Sequence, residues 1–356
     1  MRWIKNIFFY ILTLLLILIF FLITELSYRM ILGKLDLTVL YEYGDNFKNY
    51  DNFVKYEPNK TIRSVALSSK QFPKKISDVF LVYDYEFSTN NAGLVMGENL
   101  KKDDQVYFIL GDSFTEGQGS EPWFYDLEID FNSKNTSVVN LGILGTGPEQ
   151  WSSLKTHIEK LFKLDSKGMV INIIPNDILR RPWTFKKKEI KCLKYADCDY
   201  NFHLQGFKFS EKMNQTEIKL NVLKDINERK FYFFNSGDFI KETLKSSKII
   251  IDLYNIYKTF IFSDQEIKNQ TALLNFKKQA DGNVFINVIS QKEINSNNYR
   301  KYRYASELIE FLEQNSFSYS WCNIPLEGFY EMDTHPNIKG YEKVKSCTYE
   351  ALKRLK

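Results

Sequence analysis

From Val106 onward, short apolar runs alternate with longer stretches in which apolar residues recur every three or four positions. The run Val106–Leu110 reads as a strand buried on both faces of a parallel sheet, and Ser137–Leu141, Gly168–Ile174, Asn283–Ile289 and Phe317–Cys322 read as further strands. Between them, Pro148–Leu164 sets Trp151, Leu154, Ile158, Leu161 and Phe162 at helical spacing, and Pro148 suits the first turn of that helix. Tyr302–Gln314 and Ile338–Leu355 follow the same period. Strand and helix in alternation predict a doubly wound parallel sheet between helix layers, class α/β.

Three stretches stand outside this alternation. Ile7–Thr24 is almost wholly apolar and free of charge, and Arg2 and Lys5 precede it. A run of about 18–20 such residues is long enough to span a bilayer as a helix. Residues 25–33 lack a small-x-small cleavage site, so the pattern predicts an uncleaved signal anchor over residues 1–33. Arg29 and Lys34 nearly balance Arg2 and Lys5, so the charge rule barely orients it. The short tail and the cysteines favour a single-pass protein with its body on the periplasmic or extracellular side. Residues 34–104 carry aromatic clusters and a strand at Val79–Tyr83, and are expected to pack on the core domain, 105–356. Residues 179–279, rich in Lys and aromatics, form an insertion with a helix expected near Phe239–Ile261. It reads equally as a lid or as a structural cap.

Composition narrows the classes. Of 356 residues, 44% are hydrophobic and 26% charged, which fits a globular chain of about two domains or one enlarged domain. A net charge of +4, spread through mixed Lys and Glu, gives no basic patch for nucleic acid. Cys192, Cys198, Cys322 and Cys347 lack the spacing of zinc ligands. They suit disulfides in an oxidising compartment, with all three pairings open. His203 has no second ligand beside it, and His157 reads as an exposed helix residue. No metal or cofactor is expected.

The candidate chemistry lies just past the strand ends. Ser113, in Gly111-Asp-Ser-Phe-Thr-Glu-Gly117, follows a buried strand where the chain turns into a helix. There its hydroxyl faces the sheet's carboxyl edge, where open α/β sheets bind ligands. Gly145, in Asn140-Leu-Gly-Ile-Leu-Gly-Thr-Gly147, allows a backbone amide to approach a ligand. Asn176, in Pro-Asn-Asp, adds a side-chain donor at the same edge. With the Ser113 amide, these make a candidate oxyanion hole. Asp333 and His335, in Asp-Thr-His-Pro-Asn337, supply a base for the serine and a carboxylate to fix its tautomer. Glu116 and Asp177 lie nearby, and turn capping accounts for them.

These blocks resemble those of the SGNH/GDSL hydrolase superfamily, over roughly 106–176 and 317–355. Ser113 matches its nucleophile, Gly145 and Asn176 its oxyanion donors, and Asp333 with His335 its last block. Pro175 stands where the family commonly has glycine. Met332 stands where much of the family has its acid, three residues before the histidine. The Asp-x-His spacing looks like that of membrane-associated bacterial members, including alginate O-acetyltransferase-like proteins. The resemblance implies a three-layer α/β/α sandwich with a flavodoxin-like sheet. It also implies a serine esterase or O-acyltransferase working through an acyl-serine, with an ester-bearing substrate such as an acetylated envelope glycan. A lipid esterase or thioesterase is a second chemical reading. A catalytically silent glycan-binding or scaffold protein is a third reading, of a different class. Protein partners are left open.

Overall fold

The computed structural model describes residues 10–21, 23, 37–42, 47–49, 52–69, 73–132, 137–182, 213–224, 248–292 and 299–355. The chain divides into two units. One comprises 1–37, 68–80 and 215–260, and the other 38–67, 81–214 and 261–356. In the first unit, residues 10–21 are helical with exposed apolar side chains. Among the described residues, no helix is long and apolar enough to cross a membrane. The expected span at Ile7–Thr24 runs past the described residues at both ends. A helix at 215–224 buries Ile218 and Val222.

The second unit holds the parallel sheet. Its strands are β6 (Gln105–Gly111), β7 (Ser137–Gly142), β8 (Asp165–Ile173), β9 (Val284–Ile289) and β10 (Ser318–Cys322). They lie in the order β10-β9-β8-β6-β7, every pairing parallel. Counted along the chain this is 2-1-3-4-5, the flavodoxin order, whose switch point lies between its first and third strands. β6 and β8 are those strands here. The central strands are apolar on both faces because helices cover both.

The helices are α1 (Ser113–Glu116), α2 (Phe124–Asn132), α3 (Pro148–Phe162), α4 (Lys248–Gln279), α5 (Tyr299–Gln314) and α6 (Ile338–Arg354). α2 joins α6 through the Phe131–Tyr349 ring contact and the Lys345–Asp126 ion pair. α3 joins the C-terminal half of α4, where Gln265 Nε2 donates to Glu149 and Lys155 Nζ to Gln279. Right-handed crossovers place these two groups on opposite faces of the sheet. Trp151, Leu154 and Ile158 of α3 are buried, as their spacing predicts, whereas Leu161 in its last turn is exposed and Phe162 only half-buried.

The helix expected near 239–261 is present over the part of it that is described, and runs further along the chain. Residues 225–247 lie outside the described residues, and the helix runs from Lys248 to Gln279. Its Leu273 and Phe276 belong to the central hydrophobic core. α2 and four N-terminal strands are also absent from what the sequence pattern predicts. The strands are β1 (Leu37–Glu42), β2 (Phe47–Asn49), β3 (Val54–Tyr56) and β4 (Thr61–Ser69). β4 pairs with β1 on one side and with β5 (Val79–Ser88) on the other, in an N-terminal sheet of order β1-β4-β5, and β2 pairs antiparallel with β3. Phe53, Val54, Tyr56 and Ile62 from this segment share the core with Phe108 and Leu110 of β6. His157 corrects another expectation, because it is half-buried with its ring 5.2 Å from that of Phe53. Cys322 and Cys347 form a disulfide joining the end of β10 to α6. Cys192, Cys198 and His203 lie outside the described residues.

Candidate active site

The turn that carries Ser113 is shaped by what surrounds it. β6 ends at Gly111, where a Cβ would lie 1.9 Å from Thr115 Oγ1 and 2.6 Å from the Asn172 carbonyl. Only glycine lets α1 fold back that closely against β6 and β8. Asp112 caps α1, its Oδ1 accepting from the Phe114 amide at 2.9 Å. Gly117 ends the helix in the left-handed region, with φ 97°. Ser113 is thereby set at the carboxyl edge of the sheet, in the switch-point crevice.

His335 reaches that crevice from the far side of the chain. Its Nε2 lies 3.0 Å from Ser113 Oγ, and its Nδ1 lies 3.0 Å from Asp333 Oδ1. With Nδ1–H donated to the carboxylate, Nε2 is left to accept the serine proton. Burial pushes the Asp333 carboxyl up. The His335 hydrogen bond and charge, with the Thr334 and His335 backbone amides, outweigh that and hold it below its ordinary value. The carboxylate therefore stays ionised beside the imidazole. The two-residue spacing suffices because this segment is folded on itself. The Tyr330 amide donates to the His335 carbonyl at 3.1 Å, and the Asn337 amide to Gly328 at 2.9 Å.

Several groups hold this loop. Lys292 Nζ donates to the Tyr330 and Glu331 carbonyls at 2.6 and 2.8 Å. The Tyr330 hydroxyl donates to the Gly119 carbonyl, linking the His335 loop to the segment that follows Ser113. Asn337 caps α6, accepting from the Lys339 and Gly340 amides. Tyr341, whose phenol is pushed well up by burial and neighbouring Tyr85 and Tyr83, donates to the Gln118 carbonyl at 2.6 Å. The Cys322–Cys347 disulfide brackets the whole segment.

Gly145 lies in the loop after β7 with φ 72°, and Asn176 lies in the 3-10 turn Pro175–Leu179 after β8. Both are half-buried. Since β7 and β8 flank β6, the two oxyanion candidates emerge on either side of Ser113 at one sheet edge.

Two acidic residues do more than cap turns. Asp177 does cap its turn, with Oδ2 accepting from the Ile174 amide at 3.1 Å. It also belongs to a buried charge cluster. Arg180 Nη2 donates to Asp112 Oδ2 at 3.0 Å, and Arg180 Nε lies 2.7 Å from Asp177 Oδ1 as an ion pair without hydrogen-bond alignment. Burial and the Asp112 charge push the Asp177 carboxyl well up, against the pull of Arg180. Glu116 is also buried, and its carboxylate accepts from the Tyr56 hydroxyl and the Leu144 amide. Arg180, Lys292 and Tyr330 escaped the sequence reading because no motif contains them. Among the described residues, no group of three His, Cys, Asp or Glu side chains is placed to hold a metal ion.

Fold and site together define an α/β protein of flavodoxin strand order, with a Ser–His–Asp hydrogen-bonded chain at its switch point. No known family model matches the sequence, and no curated protein matches it significantly. The structure is similar to several solved ones. A lipolytic protein of the G-D-S-L family from Veillonella parvula shares 12% identity, over 70% of this chain and 99% of its own, at TM-score 0.35. A lipase/acylhydrolase from Enterococcus faecalis shares 12%, over 71% and 96%, at TM-score 0.34. An acetyl xylan esterase from the rumen bacterium Butyrivibrio proteoclasticus shares 10%, over 90% and 88%, at TM-score 0.32.

Proposed function

We propose that this chain is a serine esterase or related O-acyltransferase of the SGNH/GDSL type, acting on ester-linked acyl groups. One observation carries the reading: Ser113, His335 and Asp333 are linked at 3.0 Å and 3.0 Å at the carboxyl edge of the parallel sheet. Ser113 Oγ attacks the ester carbonyl as His335 Nε2 takes its proton. The oxyanion forms against the Ser113 and Gly145 amides and the Asn176 side chain. Collapse expels the alcohol, which receives the proton from His335, and leaves an acyl-serine. Water, or a sugar hydroxyl in transfer, then attacks that ester with His335 as base. Hydrolysis and transfer share this intermediate and differ only in the acceptor.

Acetyl groups on envelope glycans are the substrate class to try first. The apolar run Ile7–Thr24 supports a tethered protein. The Cys322–Cys347 disulfide supports a body in the periplasm or outside the cell, where such bonds persist. The test is labelling of the full chain with a fluorophosphonate, alongside turnover of 4-nitrophenyl acetate and acetylated glycans. Wild type should label and Ser113→Ala should not. A wild type that neither labels nor turns over any ester would leave the scaffold reading in its place. A reporter fused after Lys356 tests the topology, and reporter activity in the cytoplasm would sink the placement.

A further inference from the structure

We infer that Glu116 is a positioning residue for the oxyanion loop, fixing the Gly145 amide relative to Ser113; this rests on the esterase reading above. Glu116 is the last residue of α1, three positions after the nucleophile, and is 2% exposed. Its Oε2 accepts from the Leu144 amide at 2.5 Å, and its Oε1 from the Tyr56 hydroxyl at 2.8 Å. A buried carboxylate holding a backbone amide is a strong, charge-assisted contact. This one joins the helix carrying the nucleophile to the residue immediately before Gly145.

The rest of the loop is held at points on either side. Asn140 Oδ1 accepts from the Gly142 amide at 2.8 Å, while its Nδ2 donates to Thr115 at 3.3 Å. Thr146 Oγ1 donates to the Ile143 carbonyl at 2.6 Å and accepts from Trp151 Nε1 at 2.8 Å. A Cβ on Gly142 would sit 2.4 Å from the Glu116 nitrogen, so the end of α1 lies directly on the end of β7. Gly145, with its left-handed φ, is the flexible residue between the Leu144 and Thr146 anchors. Release of the Leu144 anchor frees the peptide whose amide must meet the oxyanion. A misplacement of about 1 Å at such a site costs on the order of 10²-fold in rate.

The variants are Glu116→Gln and Glu116→Met, with Tyr56→Phe as a milder change. The Gln amide oxygen still accepts from Leu144 while its NH₂ faces the phenol oxygen, so part of the anchor survives. Met fills the space and accepts from neither donor. The expected order of kcat on 4-nitrophenyl acetate is wild type, then Gln, then Met, the last down about 10²-fold with KM nearly constant. The apparent inhibition constant of trifluoroacetone, whose serine adduct places an oxyanion in the same hole, should rise by the same factor as kcat falls. The pH profile should not move, since the Ser113–His335–Asp333 contacts are untouched. Folding is checked by near-UV circular dichroism; if Met does not fold, Gln and Tyr56→Phe carry the test. Folded variants with wild-type kcat and trifluoroacetone affinity overturn the inference alone. A wild type inert to esters and fluorophosphonate overturns the esterase reading, and this inference with it.

Discussion

Replacing Asp333 with Asn tests the site most sharply, because the structure sets the size of the effect. Asp333 Oδ1 accepts twice, from His335 Nδ1 at 3.0 Å and from the Thr334 amide at 2.6 Å. In Asp333→Asn the Thr334 amide still requires an acceptor there, so the Asn oxygen is expected to stay and the NH₂ to point away. The imidazole then keeps its Nδ1–H tautomer, and only the carboxylate charge beside the developing imidazolium is lost. Two unit charges about 4 Å apart interact by about 4 kcal/mol at an effective dielectric constant near 20. That corresponds to about 10³-fold in rate. If the amide instead turned its NH₂ to the ring, the tautomer would be wrong and the loss nearer 10⁴-fold. The assay is kcat and KM on 4-nitrophenyl acetate, with the rate of fluorophosphonate labelling beside it. Because the charge acts on the transition state, kcat and kcat/KM should fall together. A folded Asp333→Asn that keeps more than about a tenth of wild-type kcat, well short of the loss worked above, would refute the assignment of the acid.

Asn176→Ala should lower kcat by about 10²–10³-fold as one oxyanion donor among several, and steady-state kinetics showing a change in KM alone would assign it to substrate binding instead. Asp177 has its folded pKa raised by burial and by Asp112, so the stability tied to its proton is complete below the unfolded value, near ~3.9, and is lost as pH rises through the folded value. Asp177→Asn keeps the neutral form throughout, so its Tm relative to wild type should climb as pH rises above about 4; a flat difference would contradict the sign. The Cys322–Cys347 bond closes a loop of sequence separation 25, and its removal should cost about 3–4 kcal/mol in urea unfolding. Non-reducing peptide mapping that finds Cys322 paired elsewhere would overturn this bond.

Much of the core was legible from local pattern. The apolar runs at Val106, Ser137, Gly168 and Asn283 became β6 to β9 within a few residues at each end, because a strand sealed by helices on both faces must be apolar throughout. Pro148 opens its helix as expected, since its fixed φ and missing N–H suit that position alone. The candidate residues Ser113, His335 and Asp333 stood out too, as residue types with few substitutes in this chemistry, and the fold brings them within hydrogen-bond distance. What escaped was set by partners far along the chain. The N-terminal strands lack clean alternation; they gain stability from pairing, and Val54, Tyr56, Ile62 and Phe87 share the core with β6. The long helix α4 has no single apolar stripe to announce its bounds.

The sequence by itself determined the strand and helix alternation, the serine at a strand end, and an aspartate and a histidine two residues apart. These are local properties, carried by side-chain periodicity and residue chemistry. Only the tertiary structure decided that Cys322 meets Cys347, since three pairings were open until β10 and α6 were placed side by side. It alone decided that Asp333 reaches His335, because that depends on how the segment from Gly328 to Asn337 folds back on itself. And it alone turned Glu116 and Arg180 from ordinary charged residues into links to the turn that carries Ser113. Their partners, Leu144 and Asp112, are brought to them by the strand order, which no local pattern contains.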